Sequence, residues 1–75
     1  MSDNPVSLAI SAAGSGPKLG AKLGVTGRAV YKWRAAWEHG RIDAVPPDRA
    51  IQIEEAVGVS RRLLRPDLWP PAEAA

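Results

Sequence analysis

The chain has 75 residues with seven prolines and no cysteine, which bounds it to one small domain that no disulfide or thiolate–metal site can reinforce. No apolar run approaches the ~18 residues of a membrane span and no basic-then-apolar leader opens the sequence, so the expected setting is cytoplasmic. The net charge of +2 is small but unevenly placed: residues 17–41 set Lys18, Lys22, Arg28, Lys32, Arg34 and Arg41 against Glu38, a local +5, and residues 42–60 set Arg49 against Asp43, Asp48, Glu54 and Glu55, a local −3.

Five short helices are predicted in chain order, with no strand. Asn4-Pro5 opens the first, with asparagine as N-cap and proline in the first turn. Val6, Ala9, Ile10 and Ala13 recur at helical spacing on its inner face, and Gly14 stops it. Ser15-Gly16-Pro17 opens the second, with either Ser15 or Gly16 as cap. Leu19 and Leu23 stand one turn apart on its inner face, and Lys18 and Lys22 share its solvent face. Gly20 falls where this helix crosses the next, so its lack of a side chain lets the axes approach. Gly24 suits the left-handed position that ends the helix, Val25 fills the turn, and Thr26 stands as N-cap of a third helix running from Gly27 to about His39. Val30, Trp33 and Trp37 share that helix's inner face. The two indoles read mainly as core, the alternative being stacking on nucleic acid.

Residues 40–47 read as a loop ending in Val45-Pro46-Pro47, and Pro47 starts a fourth helix through Val57, with Ala50, Ile53 and Val57 inward and Ile51 on the flank. Glu54 falls near its inner edge, where an arginine could pair with it. Gly58 ends it, and Ser60 opens a final turn, Arg61-Arg62-Leu63-Leu64. From Arg65 onward, prolines at 66, 70 and 71 predict an extended tail over residues 65–75, frayed at Ala72–Ala75. Leu68 and Trp69 are its expected apolar anchors, folded back on the helices or crossing to a second subunit.

The sequence offers little for catalysis. His39 is the single histidine, no His/Asp/Glu cluster has metal spacing, the carboxylates of Glu54 and Glu55 diverge on a helix, and no glycine-rich phosphate loop follows a strand. No enzyme, metal or cofactor is therefore expected. Residues 16–38 instead have the layout of a helix-turn-helix reader of double-stranded DNA. The third helix then presents Gly27, Arg28, Tyr31 and Lys32 to bases, Gly27 reading none itself but letting the helix start come close to the backbone. Arg28 can donate a bidentate pair to guanine O6 and N7, Lys32 can reach a base edge or a phosphate, and Tyr31 can meet a thymine methyl or a phosphate. Ser15, Lys18, Lys22, Thr26 and Arg34 are the expected phosphate contacts, which position the protein without reading sequence. For each charged residue the alternative is an ordinary solvated surface role.

From about Ala9 to Pro70 the chain resembles the small phage Cro-type repressors and the related YdaS-like antitoxin group. Three pieces carry the resemblance: Leu19 to Trp33 as the reader, Pro47-Asp48-Arg49-Ala50-Ile51-Gln52-Ile53-Glu54 as the next helix, and Leu64-Arg65-Pro66-Asp67-Leu68-Trp69-Pro70. It implies an all-α helix-turn-helix domain and a bacterial or phage-encoded, nucleoid-associated transcription regulator, dimeric on a near-palindromic operator. The family's reading positions fall on Thr26, Gly27, Arg28, Tyr31 and Lys32. Two features depart from the pattern. Arg34 to Val45 is longer by about a helical turn, and Gly27 replaces the usual polar side chain. A second function also fits: an antitoxin or antirepressor that binds a toxin or repressor protein through Trp37, Trp69 and the tail.

Overall fold

A computed structural model describes residues 4–70. Within them lie five helices, α1 (Pro5–Ala13), α2 (Gly16–Leu23), α3 (Gly27–Glu38), α4 (Pro47–Val57) and α5 (Arg61–Leu64). The local signals that start and stop them act as expected. Asn4 accepts from the Val6 N–H, Ser15 from the Lys18 N–H, Thr26 from the Ala29 N–H and Ser60 from the Arg62 N–H. Each bond satisfies one of the amides that a helix start leaves without an internal partner. Gly24 closes α2 at φ 77°, in the left-handed region, and its N–H returns to the Gly20 carbonyl. Glycine holds that conformation without the side-chain clash other residues meet.

The core consists of Val6 and Ala9 of α1, Leu19 and Leu23 of α2, Val30 of α3, Val45 of the loop that follows, Ala50 and Ile53 of α4, and Leu64 of α5. Ile10, Ala13, Val25, Trp33, Trp37, Val57 and Trp69 pack around it, half-buried. Both α3 indoles therefore belong to the core side of the helix. The Trp37 Nε1 is buried and, among the described residues, has no hydrogen-bond partner. Helix α1 lies at the centre and touches α2, α3, α4 and α5, whereas α3 meets only α1 and α2 among the described helices. On α3, Arg28, Tyr31, Lys32, Ala35 and Glu38 are exposed.

Val45 is the core residue the sequence conceals. It lies in the loop between α3 and α4, with no neighbours at helical spacing, yet it is fully buried. Its carbonyl accepts from the Arg65 guanidinium at 2.9 Å, and the same guanidinium holds both Asp67 oxygens, at 3.0 and 2.7 Å. Arg65 is only 8% exposed. A buried guanidinium requires such partners, since an unpaired one would carry a large desolvation cost.

The tail differs from the extended strand expected over residues 65–75. Residues 66–69 form a turn in which the Arg65 carbonyl accepts from the amides of Leu68 and Trp69, both at 3.0 Å. Proline does forbid a helix through this segment, but its fixed φ also suits the second position of a tight turn. The Arg65–Asp67 pair then clamps the turn shut. Trp69 folds back on the core as expected, with the Arg61 guanidinium 5.5 Å above its ring. Leu68 does not anchor the tail: it is 46% exposed. The expected fraying of Ala72–Ala75, with the rest of the tail beyond Pro70, falls outside the described residues. The arginine expected near Glu54 is Arg61, whose Nε donates to its carboxylate.

Candidate nucleic-acid interface

The reader is assembled by two close approaches of backbone. A Cβ added at Gly20 would lie 2.6 Å from the Val25 carbonyl oxygen and 3.0 Å from the Gly27 nitrogen. Gly20 therefore lets α2 sit directly on the turn that leads into α3. Gly27 does the same from the other side, since a Cβ there would lie 2.9 Å from the nitrogen of Pro17. Gly27 was expected on the outward face. It is directed instead at the start of α2, and the absence of a side chain serves packing within the domain.

Tyr31 shares that flank. Its hydroxyl accepts from the Gly16 N–H at 3.3 Å, and its ring occupies the space above Gly16 so closely that a Cβ would lie 2.5 Å from the ring carbon bearing the hydroxyl. The Arg34 guanidinium stacks 4.9 Å from the same ring, and the Arg34 carbonyl accepts from the Asn4 side chain at 3.0 Å. Gly27, Tyr31 and Arg34, four and three residues apart, thus form one stripe of α3 turned toward α2. Tyr31 is still 39% exposed, so its phenolic proton remains able to donate to an acceptor outside the domain.

Arg28 and Lys32 occupy a different stripe and are both exposed. They line a shallow open depression of ≈ 600 Å³ together with Thr26, Ala29 and Tyr31. The structure therefore brings Thr26, Arg28, Tyr31 and Lys32 to one surface and removes Gly27 from it. Ser15 caps α2 beside Gly16, where Tyr31 is fastened, so the start of α2 borders the same surface. Lys18 and Lys22 are exposed on α2, with the Lys18 stem lying over Gly14, 3.1 Å from where a Cβ would stand. Arg34 is half-buried and committed to Tyr31, which makes it more a brace than a free phosphate contact.

The charges divide between the two ends of the domain. Three ion pairs occur among the described residues: Arg41–Asp43, Glu54–Arg61 and Arg65–Asp67. Lys18, Lys22, Arg28, Lys32 and Arg34 take part in none of them. The carboxylates of Asp43, Glu54 and Asp67 are engaged in those pairs. The hydrogen bond and charge of Arg61 hold the Glu54 carboxyl below its ordinary value, against a smaller opposing effect of burial. The Asp67 carboxyl is likewise lowered by its hydrogen bonds to Arg65, which raise the Arg65 guanidinium in turn.

Sequence reasoning missed a further support, Arg49. Its guanidinium donates to the Leu23 carbonyl at 2.5 Å and to the Gln52 side chain at 2.8 Å. It therefore ties α4 to the carbonyl end of α2, where a cation is favoured. The α4 sequence carries no local signal for this, because Arg49 looks like any solvated residue of a first turn.

Two helices meeting over a glycine-closed turn, the second with an open polar face, define a helix-turn-helix domain. The family model described as bacterial toxin YdaS matches residues 6–72, and the chain belongs to that family. No curated protein and no solved structure matches it. Among the described residues, no helix is long and apolar enough to cross a membrane.

Proposed function

We propose that this chain is a sequence-specific, double-stranded DNA-binding transcriptional regulator, a repressor of Cro type. It acts in the bacterial nucleoid and binds its operator as a homodimer, with one α3 in the major groove of each half-site. The observation that carries this reading is the pairing of Arg28 with Lys32 on one open stripe of α3, exposed and without an acidic partner among the described residues. Had the two diverged, or been covered by the same molecule, the reading would have failed. The surrounding groups fit a phosphate-binding rim: the Ser15 and Thr26 hydroxyls, the Tyr31 hydroxyl, Lys18 and Lys22.

Magnitudes favour two copies over one. A good base contact is worth about 1–3 kcal/mol of discrimination. Two such contacts per reader reach only the lower part of the ~4–10 kcal/mol that separates specific from non-specific binding. Two readers, on half-sites about one helical turn or 34 Å apart, reach the whole range. The test is a mobility-shift titration against operator-containing DNA from the neighbouring genes at several salt concentrations. Retention with a log–log salt slope of about −0.9 per phosphate contacted is expected. Absence of any shift at low salt refutes the proposal.

A second reading, an interaction module for a toxin or repressor protein, draws on the family's description and on the exposed Leu63 and Leu68. It needs a surface other than the rings of Trp37 and Trp69, which pack against the core. A chain that leaves all DNA unshifted but co-elutes with the product of an adjacent gene would favour it.

A further inference from the structure

Three stripes run along α3, and only one is free to meet a base edge. Val30, Trp33 and Trp37 take the core side. Gly27, Tyr31 and Arg34 take the flank against α2, where Gly27 meets Pro17, Tyr31 accepts from Gly16 and Arg34 stacks on Tyr31. Arg28, Lys32 and Ala35 form the exposed stripe, spaced four and three residues apart, with half-buried Ala29 and Ala36 beside it and Glu38 at the end of the helix. Of the three in the stripe, only the first two have a polar head.

We infer that each half-site of the selected duplex carries two guanines about two base steps apart, one read by Arg28 and the other by Lys32. This rests on the DNA-binding reading above and adds the identity of the bases. Both side chains are pure donors. In the major groove only guanine offers two neighbouring acceptors, O6 and N7, whereas adenine sets a donor beside its acceptor and thymine offers one acceptor beside a methyl. Four residues of α-helix advance about 6 Å, and successive bases of one strand are about 3.4 Å apart. The two heads therefore address bases roughly two steps apart rather than adjacent ones. The neighbouring positions read little: Gly27 has no side chain and faces Pro17, and the Tyr31 hydroxyl is held at the start of α2. Ala35 offers only a methyl, which suits contact with a thymine methyl.

The experiment selects bound duplexes from a random library with the full chain at low salt. Each enriched guanine is then replaced in turn by 7-deazaguanine, which lacks the N7 acceptor. A guanine pair at this spacing is expected, with roughly tenfold weaker binding on each replacement. Arg28→Ala and Lys32→Ala should each relax a different one of the two positions. Circular dichroism checks that both variants, altered only at exposed side chains, remain helical. Selected duplexes without the guanine pair, or variants that weaken every duplex by one common factor, overturn the inference and leave DNA binding standing. A library from which nothing is retained removes the DNA-binding reading itself, and this inference with it.

Discussion

Replacing Gly20 by alanine sets helix propensity against packing, and the two predict opposite signs. Alanine in a helix is favoured over glycine by about 0.5–1 kcal/mol, so propensity alone makes Gly20→Ala stabilising. The added Cβ, however, would lie 2.6 Å from the Val25 carbonyl oxygen, 2.9 Å from the Thr26 carbonyl carbon and 3.0 Å from the Gly27 nitrogen, where ordinary contact begins at 3.4 Å. All three are main-chain atoms, and no rotamer change can move them aside. The turn is also tied to the helix, because the Val25 N–H donates to the Gly20 carbonyl at 2.9 Å. Overpacking of this sort costs about 1–3 kcal/mol, and loosening that hydrogen bond costs a further ~1 kcal/mol. With the propensity gain subtracted, a net destabilisation of about 1–3 kcal/mol remains. In a domain of this size that lowers the melting temperature by roughly 5–20 °C. Thermal and urea denaturation followed by circular dichroism measure it. The comparison variant is Gly24→Ala, which meets no atom within 4 Å but is held at φ +77°, and should lose about 1–2 kcal/mol from backbone strain alone. A Gly20→Ala protein that melts at or above the parent temperature would refute the packing argument.

Arg65→Lys should cost about 2–3 kcal/mol in urea denaturation, because a point charge cannot hold Asp67 bidentately and reach Val45 as well; an unchanged midpoint would show the fork to be dispensable. Glu54 and Asp67 both titrate below their ordinary values of 4.5 and 3.8 when folded. Their contribution is therefore complete above those values and is lost as pH falls through the lower, folded ones. The urea midpoint should decline below about pH 4.5 in the parent and decline less in the Glu54→Gln, Asp67→Asn double variant. Tyr31→Phe removes the acceptor for the Gly16 N–H and should cost about 0.5–1.5 kcal/mol of stability, without changing which bases are selected; altered base preference in a binding selection would make Tyr31 a reader. Lys22→Ala should lower the magnitude of the salt slope of DNA binding by about 0.9 if it contacts one phosphate, and a slope identical to the parent's would place it off the DNA.

Much of the fold was legible because its punctuation is local. Asn4-Pro5, Gly14, Ser15, Gly24, Thr26, Pro47, Gly58 and Ser60 start and stop helices through their own side chains or backbone freedom, and each acts where it stands. What was hidden depends on partners distant in the chain. Val45 carries no periodicity and is buried in the core, its carbonyl accepting from Arg65 twenty residues on. The turn at 66–69 is not marked by proline's helix-breaking alone, because the same fixed φ that ends a helix also pre-sets a tight turn. At the interface, Arg28 and Lys32 came out of the helical pattern directly. Gly27 was misplaced although a signal existed: it shares its stripe with Tyr31 and Arg34, not with Arg28 and Lys32, and residues of one stripe meet one neighbour.

The clasp between Arg65 and the Val45 carbonyl joins the last part of the described chain to a loop in its middle. Ribosomes make the middle first, so the Val45 carbonyl lacks this donor until Arg65 has emerged. A polypeptide interrupted before that point would keep the sequence of α2 and α3 but lack the Arg65–Val45 hydrogen bond. Such fragments should be soft and easily digested.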